Sequence, residues 1–397
     1  MLSAQALAWG RSDNIIREMT AYGARRKAEI GPDKVFDYSI GNPSVPAPDC
    51  LRRALLDLLT EDDPQLHSYT PAPGLMSLRR AIAQNLGRRY GARVRAEEVY
   101  VTCGASSGLS ICTHALLSPG DKALTFAPFF PEYTLFVEAA GAELVTVPPA
   151  AGMQPDLEAL ERLLDERCWM LILNSPNNPS GVLLPEEGLS ALCALLRRAE
   201  ARFGHPIYLL SDEPYRELVY DGRSAPCALN YYDDSILCYS YSKALSLPGE
   251  RLGYLALGEG MPDRGEVFAA ICGAGRSLGY INAPSLFQRA AERCLDQTSE
   301  LDVYRENRDL LYGGLTALGY DCVYPDGAFY LFFRSPEPDA VAFCQRAKAY
   351  ELVLVPSNDF GLEGYVRAAY CVSTDMIRRS MPAFAALAAD CGLKAKT

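Results

Sequence analysis

Between residues 98 and 257, short apolar runs alternate with longer mixed ones. The runs 98–103, 122–127, 142–147, 169–173, 206–211, 235–239 and 252–257 are predicted strands. Between them, 106–117, 131–140, 156–166 and 185–203 show the wider spacing of helices. Strands alternating with helices imply crossover connections, hence an α/β domain with a mostly parallel sheet sandwiched by helices. Such sheets hold their ligands at the carboxyl ends of the strands. Polar residues directly after each strand are therefore the candidates for function.

The pattern changes near the C-terminus. Residues 299–318 form one long amphipathic stretch, followed by a strand-like run at 328–333, a helix from Asp339 and a short strand around 364–369. These predict a second, smaller α+β domain. The first fifty residues lack crossover units and are expected to pack with it. The expected division is 1–49, 50–290 and 291–397.

Composition narrows the function classes. The chain has 397 residues, 49% of them apolar, and a net charge of −11, which argues against non-specific binding to nucleic acid or an anionic membrane. No apolar stretch approaches the length of a membrane span. Met1–Trp9 lacks the basic start and sustained apolar core of a secretion signal, so a cytoplasmic location is expected. The 13 cysteines are scattered, with no Cys-x-x-Cys, and predict reduced thiols rather than a disulfide framework or a zinc site. Of the histidines, His67, His114 and His205, none has metal-ligand spacing. His114 lies in an apolar helix and His205 opens a strand, which suits structural roles. A general base other than histidine is expected.

Five strand ends carry unusual chemistry. Thr102-Cys-Gly-Ala-Ser-Ser-Gly108 leads from strand into helix; its small residues suit either a tight turn or an anion held at a helix N-terminus. Ala127-Pro-Phe-Phe-Pro131 places two aromatics at the next end, as core or as a stacking surface. Asn174-Ser-Pro-Asn-Asn-Pro-Ser-Gly181 reads as a turn, or as a turn that aims an amide at a ligand. Asp212-Glu-Pro-Tyr215 puts acids and a phenol after an apolar strand, where a carboxylate is expensive to bury without a cation. Ser240-Tyr-Ser-Lys243 precedes Leu247-Pro-Gly-Glu-Arg-Leu-Gly-Tyr254, so hydroxyls, a lysine and the forked Arg251 suit an anion.

An anion pocket, an aromatic plate, an amide, a carboxylate, a phenol and a lysine are together what pyridoxal phosphate requires. Over nearly its whole length the chain resembles the class I aminotransferases of the fold-type I pyridoxal phosphate enzymes. The resemblance rests on the stretch from Ser240 to Gly253, on Asn-Asn-Pro-Ser-Gly, on Asp-Glu-Pro-Tyr and on Tyr69-Thr-Pro-Ala-Pro-Gly74, in that family's order. It implies that Lys243 condenses with the cofactor's aldehyde and later shuttles a proton. It further implies that Asp212 pairs with the ring nitrogen and that Asn178 and Tyr215 meet the phenolate oxygen. Phe130 would stack on the ring, although tyrosine or tryptophan is commoner there. Gly104, Ala105, Ser106, Ser240 and Arg251 would hold the phosphate, with Tyr69 reaching it from the partner of a homodimer. Tyr365-Val-Arg367 resembles the arginine that clamps the substrate α-carboxylate, and Gly41 the glycine whose backbone meets it.

The resemblance leaves three reactions to weigh: amino transfer from an L-amino acid to a 2-oxo acid, a carbon–sulfur β-lyase, and a non-enzymatic effector sensor. The sensor reading lacks a DNA-binding module and suits an acidic chain poorly. The complete Asn-Asn-Pro-Ser-Gly form resembles aminotransferases more than lyases. For substrate, Ser106 stands where some aspartate-specific relatives place a lysine. Arg276, ahead of Tyr280-Ile-Asn-Ala-Pro284, is similar to an arginine that another branch donates across the dimer, but sits one residue further from the tyrosine. An inward Arg276 predicts aspartate or glutamate; an outward one predicts an aromatic or aliphatic amino acid.

Overall fold

Seven strands form the centre of the molecule, their side chains almost wholly buried except in Glu143–Val147, which is partly exposed. The computed structural model describes residues 2–11 and 15–395. In spatial order the strands are Val99–Thr102, Gly253–Leu257, Ser235–Ser240, Tyr208–Asp212, Cys168–Asn174, Lys122–Phe126 and Glu143–Val147. All neighbours run parallel except Gly253–Leu257, which is antiparallel to both of its own. Near-continuous apolar runs such as Ser235-Ile-Leu-Cys-Tyr-Ser240 are what a sheet covered on both faces demands.

Helices supply that cover. Ala105–Leu116, Glu132–Ala139 and Arg264–Ser277 share one apolar cluster with the sheet. Leu157–Leu163 and Glu186–Phe203 share another. Crossovers run outward from Lys122–Phe126 to Glu143–Val147, then in the opposite direction from Cys168–Asn174 to Ser235–Ser240. The order thus reverses between two adjacent strands, which opens a crevice at their carboxyl ends.

A four-stranded antiparallel sheet, ordered Val355–Pro356, Tyr365–Ala369, Tyr330–Arg334 and Cys322–Val323, lies in the C-terminal part. Helices Asp302–Ala317, Ala340–Ala347 and Thr374–Asp390 pack on it. From the other end of the chain, Phe36–Asp37 pairs in parallel with Leu352–Val353.

Several elements differ from the sequence expectation. The helix expected to reach residue 166 stops at Leu163, because the Asp165 carboxylate accepts the Arg167 N–H and turns the chain. The strand expected from Pro206 begins at Tyr208. The helix expected from residue 299 begins at Asp302. Helices Ile15–Ile30, Asp49–Thr60, Met76–Tyr90, Arg264–Ser277, Ser285–Glu292 and Thr374–Asp390 are additional. His114 Nδ1 lies 2.9 Å from the Ser110 carbonyl, which accepts, and His205 bonds the carbonyls of Pro206 and Glu166 and stacks on Trp169. None of the thirteen cysteines, all among the described residues, is in a disulfide.

Candidate active site

The strand ends converge on a cavity of about 260 Å³, near the lower end of the ~300–1,000 Å³ range of small-molecule sites. Lys243 enters it from a single helical turn, Tyr241–Ala244, that starts as soon as strand Ser235–Ser240 ends. Ser240 caps this turn: its Oγ accepts the Ser242 N–H and lies 2.7 Å from the Ser242 Oγ. Two hydroxyls are thereby turned toward the cavity that Arg251 also lines. The Lys243 Nζ donates to the Gly41 carbonyl at 2.6 Å. Burial pushes its ammonium down to about 8; Cys371 opposes this, while Arg367 and Arg251 add to it. A lysine so placed becomes an uncharged nucleophile as pH rises through about 8, well below the range of an ordinary lysine.

Asp212 ends strand Tyr208–Asp212 and is 4% exposed. Its Oδ2 accepts the Tyr133 hydroxyl at 2.5 Å, and its Oδ1 has no partner. Burial raises the carboxyl to about 7, against the lowering effect of Tyr133. No cation among the described residues pairs with it.

Arg367, on strand Tyr365–Ala369, is the opposite case. It is 2% exposed, and its Nη1 and Nη2 donate to Asn178 Oδ1 at 3.1 Å and to the Ser39 carbonyl at 2.6 Å. Its Nε is buried without a partner, and no carboxylate among the described residues meets it. Burial lowers its pKa. A buried guanidinium bonded only by neutral oxygens marks a place where an anionic ligand completes the pairing.

Between these charges stand the amide and the phenol. The Asn174 Oδ1 accepts the Asn178 N–H at 2.7 Å while its Nδ2 donates to the Asp212 carbonyl at 2.8 Å. The first asparagine of the loop therefore fixes the second, and ties both to the acid. The Tyr215 hydroxyl lies 2.8 Å from that of Tyr330. Position 41 has to be glycine, because any side chain there would run into the Tyr330 hydroxyl. Gly104, against which the Arg251 guanidinium packs, caps helix Ala105–Leu116, so the first backbone N–H groups of that helix open beside Arg251. Ala105, Ser106 and Phe130 also line the cavity.

Two residues singled out from the sequence lie elsewhere. Tyr69 is 97% exposed, beside Thr70, whose carbonyl accepts from Asn282. Arg276 is exposed in the last turn of helix Arg264–Ser277. Neither reaches the cavity of its own chain. Asn174, Tyr133 and Tyr330, at the site, had not been singled out from the sequence. Tyr133 carried a weak signal, since a phenol on a buried helix face needs a partner for its hydroxyl.

The family model for aminotransferase class I and II matches residues 33–384. The chain belongs to this family. It is 31% identical over 354 residues to the aspartate/prephenate aminotransferase of Thermus thermophilus, covering 87% of this chain and 89% of the relative. It is 32% identical to the valine–pyruvate aminotransferase of Mycobacterium tuberculosis over 82% of this chain and 83% of that one. Among solved structures, an amino transferase from Eubacterium rectale superposes with a TM-score of 0.95 at 46% identity, covering 98% of this chain and 99% of that chain. The aspartate aminotransferase of T. thermophilus with maleate gives 0.87 at 28% identity, over 98% and 100%. This class I aminotransferase thus has the fold-type I architecture and pyridoxal phosphate as cofactor. The cavity suits that group: the orphaned Asp212 oxygen awaits a ring N–H⁺, and the Gly104 helix end with Arg251 awaits a phosphate.

Proposed function

We propose that this aminotransferase moves the amino group of an L-amino acid, aspartate or glutamate best, to a 2-oxo acid. The observation that carries the reading is the pair of uncompensated buried charges at one cavity, Asp212 and Arg367. One suits a protonated ring nitrogen, the other a substrate α-carboxylate. Bound pyridoxal phosphate supplies the aldehyde and the electron-accepting ring. Lys243 would hold the aldehyde carbon covalently, with loss of water, and, once displaced by the substrate amine, would carry the proton from Cα. Asp212 would keep the ring nitrogen protonated by a charge-assisted hydrogen bond. Asn178 and Tyr215 would donate to the ring oxygen, and Phe130 would lie against the ring. Gly104, Ala105, Ser106, Ser240 and Arg251 would hold the phosphate. Gly41 and Arg367 would orient the substrate carboxylate.

Two further roles rest on a second copy of the chain. A tyrosine as exposed as Tyr69 suits a homodimer in which it completes the partner's site. The cations lining this chain's cavity, Lys243, Arg251 and Arg367, are all engaged by the scheme above. A distal carboxylate would therefore be met by the partner subunit's Arg276. The names of the T. thermophilus relatives support aspartate. Against it, Ile16, Ile40 and Phe130 line the cavity and suit an aliphatic or aromatic side chain instead. The scheme also divides the chain into a large cofactor-binding domain at 50–290 and a small domain at 291–397, with 1–49 packing with the small one, and assigns the enzyme to the cytoplasm.

The test is a half-reaction screen: single amino acids are mixed with the loaded enzyme and the change in cofactor absorption is timed. Aspartate and glutamate should react fastest, and Arg276→Ala should raise their apparent KM while sparing alanine. Faster reaction with a neutral amino acid, or no effect of Arg276→Ala, removes the dicarboxylate reading.

A further inference from the structure

The Arg367 guanidinium is oriented by a chain of contacts that starts on the N-terminal helix. Its Nη2 donates to the Ser39 carbonyl. Ser39 is fully buried, and both its N–H (3.0 Å) and its Oγ (2.6 Å) donate to one oxygen of Asp37. The other Asp37 oxygen accepts from Lys27 Nζ at 2.6 Å, on helix Ile15–Ile30. Thr20 on the same helix lies 3.2 Å from the Ser39 Oγ. The helix approaches this closely because position 23, opposite Asp37, is glycine. Next along the chain, Tyr38 is held on both sides, by the Val353 carbonyl and the Ala369 N–H. Two residues beyond Ser39, the Gly41 carbonyl takes the Lys243 ammonium.

We propose that Asp37 is a positioning residue for the α-carboxylate clamp: it fixes Ser39, whose carbonyl holds Arg367. A carboxylate that accepts three hydrogen bonds at 6% side-chain exposure is a rigid anchor. Without it Ser39 loses both hydrogen bonds to Asp37, and the acceptor that sets the plane of the guanidinium is less firmly held. A bidentate arginine–carboxylate pair is sensitive to that plane. Asp37 touches neither substrate nor cofactor, so its effect should fall on ligands that carry a carboxylate. The inference rests on Arg367 being the clamp.

The experiment uses the loaded enzyme and three variants, Asp37→Ala, Asp37→Asn and Arg367→Gln. Maleate binding is measured calorimetrically, and half-reactions with L-alanine, L-aspartate and a simple alkylamine are timed. Asp37→Ala should weaken maleate and raise both amino acid KM values about tenfold, the order expected for losing a charge-assisted contact, with the alkylamine rate unchanged. Asp37→Asn keeps an acceptor for Ser39 and should show about a threefold effect on the same constants. It replaces Asp37→Ala if that variant does not fold. Equal losses with amino acids and alkylamine would mean a general structural role and overturn the proposal, as would unchanged maleate binding. If Arg367→Gln also binds maleate and amino acids normally, the clamp itself is wrong. If Arg367→Gln weakens them and the Asp37 variants do not, only the role of Asp37 falls.

Discussion

Replacing Asp212 by asparagine should stabilise the cofactor-free protein while disabling the loaded enzyme. The carboxyl is raised from 3.8 to about 7 because it is buried and only Tyr133 supports its charge. A displacement of about three pH units corresponds to about 4 kcal/mol at 1.36 kcal/mol per unit. In the unfolded chain the group ionises near 3.8; in the folded chain it keeps its proton to about 7. Its contribution to stability is therefore complete below pH 3.8, falls as pH rises through the window up to about 7, and is then lost. Asparagine does not titrate, so relative to the parent it should gain up to about 1.5 kcal/mol at pH 5 and up to about 4 kcal/mol at pH 8. Urea denaturation of both cofactor-free proteins at the two pH values reads this directly as a change in midpoint at constant slope. In the loaded enzyme the same substitution would remove the proposed partner of the ring N–H⁺, and kcat should fall by several orders of magnitude with a modest loss of cofactor affinity. Equal midpoints at pH 8, or a gain that does not shrink at pH 5, would refute the idea that Asp212 is an anion held in wait for a cation.

Other expectations are as direct. Lys243→Ala should bind the cofactor through phosphate and ring contacts yet give no turnover, and borohydride should fix the cofactor of the parent onto Lys243, as read by peptide mass. The rate of loading the cofactor-free protein should rise with pH through about 8, as the Lys243 ammonium gives up its proton; a rate flat from pH 6 to 9 would contradict the shifted amine. Mixed Tyr69→Phe and Lys243→Ala subunits should regain activity through hybrid sites, and an active monomer in sedimentation would rule out a shared site.

What could be read from the sequence follows from where each residue sits. Asp212 and Lys243 lie at or just past the end of an apolar strand, so finding the strand finds the crevice. Asn178 lies in the loop after another strand, and the neighbouring Asn174 that fixes it looked like an ordinary turn residue. Tyr133 and Tyr330 lie inside a helix and a strand, where an aromatic reads as core and only the fold reveals which hydroxyl it meets. Asp37 sits on a two-residue strand, too short to leave a periodic pattern. Helix Thr374–Asp390 carries an internal Pro382, which breaks the helical signal. Met76–Tyr90 is rich in arginine and has a weak apolar face. For Tyr69 and Arg276 the limit is different, because their proposed targets lie on another copy of the chain.

Nitrogen transfer tests the central claim most directly. The loaded enzyme is given ¹⁵N-labelled L-aspartate and 2-oxoglutarate, and the products are read by mass spectrometry. Labelled glutamate should form in step with oxaloacetate, only when the oxo acid is present, and not at all in Lys243→Ala. Labelled ammonia released without an acceptor, above all with pyruvate from a cysteine-like substrate, would contradict amino transfer and make the enzyme a lyase.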